Sequence, residues 1–112
     1  MIDGSPSSAE AAAPVSPDAI LSMSIGRRRC VNAVYNRTQV VLAPYMLFAR
    51  HGDLHVAALT VARDGQAPKE AKVGVFKVSG LRELQASNRL FSPRRDLMAG
   101  LSEEHVLAKV GD

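Results

Sequence analysis

The sequence predicts a mainly β domain with one short helix before the strands and another after them. Three observations carry this. Residues 29–91 break into short β-branched and apolar runs separated by Gly, Pro, Asn and Asp. Ser16-Pro17-Asp18 forms a helix start, with a capping residue, a proline suited to the first turn and an acidic residue at the positive end of the dipole. Ser102-Glu103-Glu104 repeats that start ahead of Val106, Leu107 and Val110.

The elements follow in order. Residues 1–16 are rich in Ser, Ala and Pro and lack large apolar side chains, so they read as a disordered tail. A helix follows, with Ile20, Leu21, Met23 and Ile25 as its packing face and Gly26 as its end. Cys30–Tyr35 is extended, and Asn36-Arg37-Thr38 is a turn. Gln39–Ala43 is a strand that Pro44 interrupts. Tyr45–Ala49 leads into a glycine turn, Arg50-His51-Gly52-Asp53. Leu54–Val61 is the clearest strand and stops near Asp64-Gly65. After a polar loop, Lys72–Val78 alternates as a half-buried strand does. Ser79-Gly80 breaks it, and Leu81–Leu84 is a further strand or turn. The organisation is thus a tail (1–16), a β domain with its leading helix (17–92) and a C-terminal extension with a short helix (93–112).

With 112 residues, 46% of them apolar and 22% charged, the chain suits one ordinary domain. A single cysteine, Cys30, excludes an internal disulfide and a four-cysteine zinc site. The N-terminus lacks the pattern of a signal peptide. Apolar runs such as Val56–Leu59 fall far short of the roughly 20 residues of a membrane span. The expected compartment is the cytoplasm.

Charge is unevenly placed. Between Arg27 and Arg95 there are 13 basic and four acidic residues, a balance of +9. The flanks hold one basic and seven acidic residues, a balance of −6. A basic middle attracts anions, of which nucleic acid is the commonest polymer; the alternative is a solvated surface that keeps the chain soluble. Ten of the 14 basic residues are arginines, whose forked donors suit phosphate. Arg27-Arg28-Arg29 is the densest cluster and Arg94-Arg95 a second, with Arg37, Arg50 and Lys77 in or beside strands and turns. Tyr35 or Tyr45 could stack on a base, or else keep its ring in the core.

No catalytic or cofactor signature is present. The eight glycines do not form a phosphate loop. Cys30 follows three arginines that would lower its pKa, although a small buried side chain is the simpler reading. His51 and His55 flank a turn with only Asp53 as a nearby carboxylate, so neither a metal nor a cofactor is expected. The chain does not read as an enzyme.

From Cys30 to Phe91 the order of features resembles a WYL domain. A strand ends in tyrosine (Val31–Tyr35), and a second strand runs into a Pro-x-x-Leu segment (Pro44–Leu47). A glycine turn then precedes Leu54-His55-Val56, where the family carries Trp-Tyr-Leu. The last strand, Phe76-Lys77-Val78-Ser79-Gly80-Leu81, stands where the family has Phe-Arg-Leu-Asp-Arg-Ile, and Phe91 follows. The resemblance implies a small SH3/Sm-like β-barrel. It also implies a ligand-sensing or nucleic-acid-binding module of bacterial transcription regulation, without the winged helix that often accompanies it. His55 stands at the motif's tyrosine, and Lys77 at its first arginine.

The expected function is non-catalytic binding of single-stranded DNA or RNA, or of a nucleotide-like anion. The expected contacts are Arg27, Arg28, Arg29, Arg37, Arg50, His55 and Lys77, with Tyr35 or Tyr45 stacking. The alternative is a protein-interaction module, including a homodimer, in which the acidic flank of one copy meets the basic middle of another or covers it within one chain.

Overall fold

A computed structural model describes residues 16–101 and 103–111. The proposed tail up to residue 15 and the capping role of Ser102 lie outside the described residues.

Helix α1 (Pro17–Arg27) begins with Pro17 at its first position and Asp18 in its first turn. Ser16 is the N-cap, but its side chain makes no capping bond; its carbonyl accepts from the Ile20 N–H at 3.0 Å. Gly26 does not end the helix. Arg28 does, by adopting a left-handed conformation (φ 54°) that turns its N–H back onto the Ile25 and Ser24 carbonyls. The buried face is Leu21, Ser24 and Ile25, at the i, i+3, i+4 spacing of one helical stripe. Met23 is exposed.

Six strands form one antiparallel sheet: β1 (Arg29–Tyr35), β2 (Thr38–Arg50), β3 (Asp53–Arg63), β4 (Val73–Lys77), β5 (Arg82–Leu90) and β6 (Val106–Lys109). Across the sheet the order is β4-β3-β2-β1-β5, with β6 added to β2. Two hairpins and the turn after β3 share one device. Asn36-Arg37, His51-Gly52 and Asp64-Gly65 all have positive φ at both central residues, the geometry whose twist matches paired strands. The pairs Tyr35↔Thr38, Arg50↔Asp53 and Arg63↔Gln66 close them.

Pro44 does not interrupt its strand. β2 pairs with β1 only as far as Leu42, and with β6 only from Met46. Pro44 therefore lies in the gap between two partners, and the β3 ladder shifts register there. A residue without an N–H fits that gap, because no regular ladder bond is forfeited.

The second half of β2 is buried on both faces. Leu42, Tyr45, Leu47 and Val56 join α1, Val78 and Leu81 in the main core. Met46, Phe48 and Ala57 form a smaller cluster, packed against Val73, Leu101 and Val106. An uninterrupted apolar run is what a strand covered on both sides requires.

The C-terminal extension departs most from expectation. Val106–Lys109 is a strand, and the only helix beyond β5 among the described residues is the four-residue α2 (Arg95–Met98). Val106 and Ala108 are half-buried while Leu107 is exposed, an alternation of period two. The open edge of β2 from Met46 to Phe48 captures this segment, and tertiary pairing overrides the local helix signals. β5 is also longer than Leu81–Leu84: it runs nine residues, after a short 3₁₀ turn at Val78–Gly80.

The sheet is open. Among the described strands, β4 and β5 each pair on one side only. Their ends nevertheless approach each other through Tyr35, whose ring meets Phe76 of β4 edge-on (5.2 Å between centroids) and lies against Gly80 of the 3₁₀ turn.

Candidate anion-binding surface

The arginine triplet is built by the junction of α1 and β1. Arg27 ends the helix, Arg28 turns the chain, and Arg29 opens the strand. The Arg28 carbonyl accepts from the Phe91 N–H at 2.9 Å, and its guanidinium donates to the Gly111 carbonyl at 3.0 Å. The residue that follows β5 and the far end of the C-terminal extension are thus both tied to this corner.

The fold adds a fourth arginine that sequence reasoning missed. β5 runs antiparallel to β1 with Arg29 opposite Leu90, which brings Arg89 beside the triplet. Arg27 and Arg89 are exposed and Arg29 is half-buried; none of the three is in an ion pair among the described residues. A signal existed in the arginine itself, but not in where it would land: that depends on the length and register of β5.

Cys30 lies next to this cluster and is fully buried. Burial pushes its thiol above the ordinary value, and the Arg89 charge pulls the other way with less effect. The activated thiolate that three preceding arginines suggest is therefore not favoured: the one charge that lowers the thiol is Arg89, and desolvation outweighs it.

The remaining expected contacts fall elsewhere. Arg37 is exposed at the tip of the first hairpin, with φ 63°. Arg50, His55 and Lys77 gather at the second hairpin. There the Arg50 guanidinium sits 5.0 Å from the Phe48 ring centroid, and His55 stacks on the same ring at 5.7 Å. His55 Nδ1 is 3.1 Å from the Asp53 carbonyl, and Lys77 Nζ is 3.3 Å from the Asp53 carboxylate, in an exposed ion pair. The nine expected residues therefore do not share one pocket. The seven expected arginine, histidine and lysine contacts divide between the α1–β1 corner, the first hairpin tip and the second hairpin, and the two tyrosines pack against the core.

Tyr45 cannot stack on a ligand. It is fully buried, parallel to Phe91 at 5.7 Å, and its hydroxyl accepts from the Arg94 N–H at 3.1 Å. Tyr35 is half-buried with its ring against Phe76. Arg94 of the second basic cluster is paired with Asp96 at 2.9 Å.

Among the described residues, no group of three or more His, Cys, Asp or Glu is placed to hold a metal ion, and no helix is long and apolar enough to cross a membrane. No protein-family model, curated protein or solved structure matches the chain.

Proposed function

We propose that this chain is a non-catalytic binding module for single-stranded nucleic acid or a nucleotide-like anion, of the kind that serves regulation. The observation that carries the reading is the meeting of Arg27, Arg28 and Arg29 with Arg89 at one corner, where Arg27, Arg29 and Arg89 have no carboxylate partner among the described residues. Three like charges, those of Arg27, Arg29 and Arg89, left without a carboxylate partner favour an anion beside them. Arginine forks contact phosphate in pairs of bonds, which adds geometry to charge.

The SH3/Sm-like barrel of a WYL-type domain is the architecture we infer for this activity. It is supported by a four-strand meander, a 3₁₀ turn, and a fifth strand that returns beside the first. The Tyr35 ring spanning from β1 to Phe76 and Gly80 supports it as well.

The test is fluorescence anisotropy of a labelled single-stranded oligonucleotide at several salt concentrations. The expected result is binding whose log affinity falls with log salt by about 0.7 for each phosphate neutralised. Absence of binding at low salt overturns the polymer reading.

Self-association is a second reading, favoured by the one-sided strands β4 and β5. Val75 of β4 is 47% exposed and Leu90 of β5 is 66% exposed. Unpaired edges carrying apolar side chains are templates for pairing with another chain. Sizing at low and high salt without nucleic acid tests it: a constant monomer removes this reading.

A further inference from the structure

We infer that the outer face of β1, β2 and β5 reads bases, and that its preferred ligand is single-stranded nucleic acid containing adenine. This rests on the nucleic-acid reading above and specifies where and how the polymer lies.

Register places the side chains. Asn32 is opposite Val41 on β2 and opposite Gln85 on β5, while Val34 is opposite Gln39 and also Arg82. Directly paired residues project from the same face of a sheet, as do residues two apart. Asn32, Gln39, Gln85 and Arg82 therefore share one face, and all four are exposed. Asn32, Gln39 and Gln85 line a shallow cleft of about 380 Å³ together with Val34, Val41 and Glu83, and Arg82 stands outside its lining. Among the described residues, no hydrogen bond takes up the side-chain amides of Asn32, Gln39 or Gln85.

Three amides without a protein partner beside two valines leave uncharged donors and acceptors open to a ligand. Asn and Gln form paired hydrogen bonds with the N6 and N7 edge of adenine, donating to N7 and accepting from N6. A single strand leaves that edge accessible. The two valines suit the flat face of a base. Glu83 is held at the cleft by a bulge, with φ 53° where the β1–β5 register shifts. Its carboxylate repels phosphate and accepts from exocyclic amino groups. The charge pattern thus orients the ligand: bases toward the amides, backbone toward the arginines.

Those arginines stand at both ends. Arg82 stands on this face at one end of the β1–β5 pair; Arg29 and Arg89 lie at the other end of the pair, where Arg29 alternates with Val31 and not with Asn32, so they share the strand end and not the face. Five residues of strand separate the two ends of β1 involved, about 17 Å at the usual rise. That spacing suits a polymer laid along the strands better than one small effector held at a point. It also explains recognition without stacking, since Tyr35 and Tyr45 are both turned toward the core.

The experiment compares labelled oligoadenylate with oligocytidylate and oligouridylate of equal length, in ribo and deoxy forms, by anisotropy. Wild-type protein is expected to favour oligoadenylate by about fivefold or more, the discrimination given by one good paired contact. The double variant Asn32→Ala with Gln85→Ala is expected to bring that ratio close to one while leaving the salt slope unchanged. Arg29→Ala with Arg89→Ala is expected to weaken all homopolymers alike and flatten the slope. Circular dichroism of each variant checks that the sheet persists. If homopolymers bind in an arginine-dependent way but without preference, or the amide variant keeps the preference, the base-reading face is wrong and the basic-corner reading stands. If none binds, both are wrong, and the face is left to a protein partner.

Discussion

The Tyr45 hydroxyl accepts a hydrogen bond from the Arg94 backbone N–H at 3.1 Å, joining the middle of the longest strand to the segment that follows β5. Tyr45 is fully buried, so its hydroxyl has no water to fall back on. Tyr45→Phe leaves the Arg94 N–H without its acceptor and is expected to cost about 1 kcal/mol. Denaturant unfolding measures that loss. Oligonucleotide affinity is expected to stay at the wild-type value, because the ring presents no face to a ligand.

The basic corner makes a graded prediction. Arg27→Ala, Arg29→Ala and Arg89→Ala, taken singly, should each weaken binding to every single-stranded sequence and lower the salt slope by about 0.7 if the side chain holds one phosphate. An unchanged slope in all three variants would place the contact surface elsewhere.

Cys30 should be inert in the folded protein. Its thiol is fully buried and held protonated above its ordinary range. An alkylating reagent is expected to modify it only on unfolding, at the unfolding rate. A folded-state pKa above the unfolded one also has a linkage consequence. The stabilisation is complete below the unfolded thiol's pKa and is lost as pH rises through the folded one, because the unfolded chain releases its proton first. Denaturant midpoints of wild type and Cys30→Ala, compared from neutral to alkaline pH, should show a steeper decline for wild type.

The turns provide a backbone prediction. Gly52 and Gly65 have φ of 80° and 82°, and a Cβ at either position would meet no neighbouring atom within 4 Å. Gly52→Ala and Gly65→Ala should therefore each cost about 1–2 kcal/mol from conformation alone. Thermal unfolding checks this, and a neutral result would mean that the turn relaxes.

Period-two burial in β6 separates strand from helix experimentally. Val106 packs on the Met46–Phe48 cluster, whereas Leu107 is 60% exposed. Val106→Asp is expected to destabilise by about 1–3 kcal/mol and Leu107→Asp by no more than about 0.5 kcal/mol. Equal losses would contradict the strand.

How legible this was in the sequence differs by element. The Leu54–Val61 strand, the Asp64-Gly65 turn and the start of α1 were readable, because local chemistry decides them. The end of α1 was not: Arg28 adopts a left-handed conformation that glycine usually supplies, and Gly26 misleads. Pro44 reads as a break until the gap between β1 and β6 is known. Val106–Lys109 has the caps of a helix but meets an open strand edge, which no local pattern reports. At the candidate site, the triplet was visible as sequence, whereas Arg89 and the shared face of Asn32, Gln39 and Gln85 depend on register shifts in β5.

The two-partner strand β2 also orders the folding of the molecule. Its hairpins with β1 and β3 close over two-residue turns, so little chain entropy is lost before contacts form. Pairing Met46 with Lys109 instead joins residues 63 positions apart. Such a contact becomes favourable only after the intervening chain is organised. β6 is therefore expected to dock after the β1–β2–β3 hairpins, as is β5, whose Leu90 pairs with Arg29, and substitutions in β6 should speed unfolding while leaving the refolding rate almost unchanged.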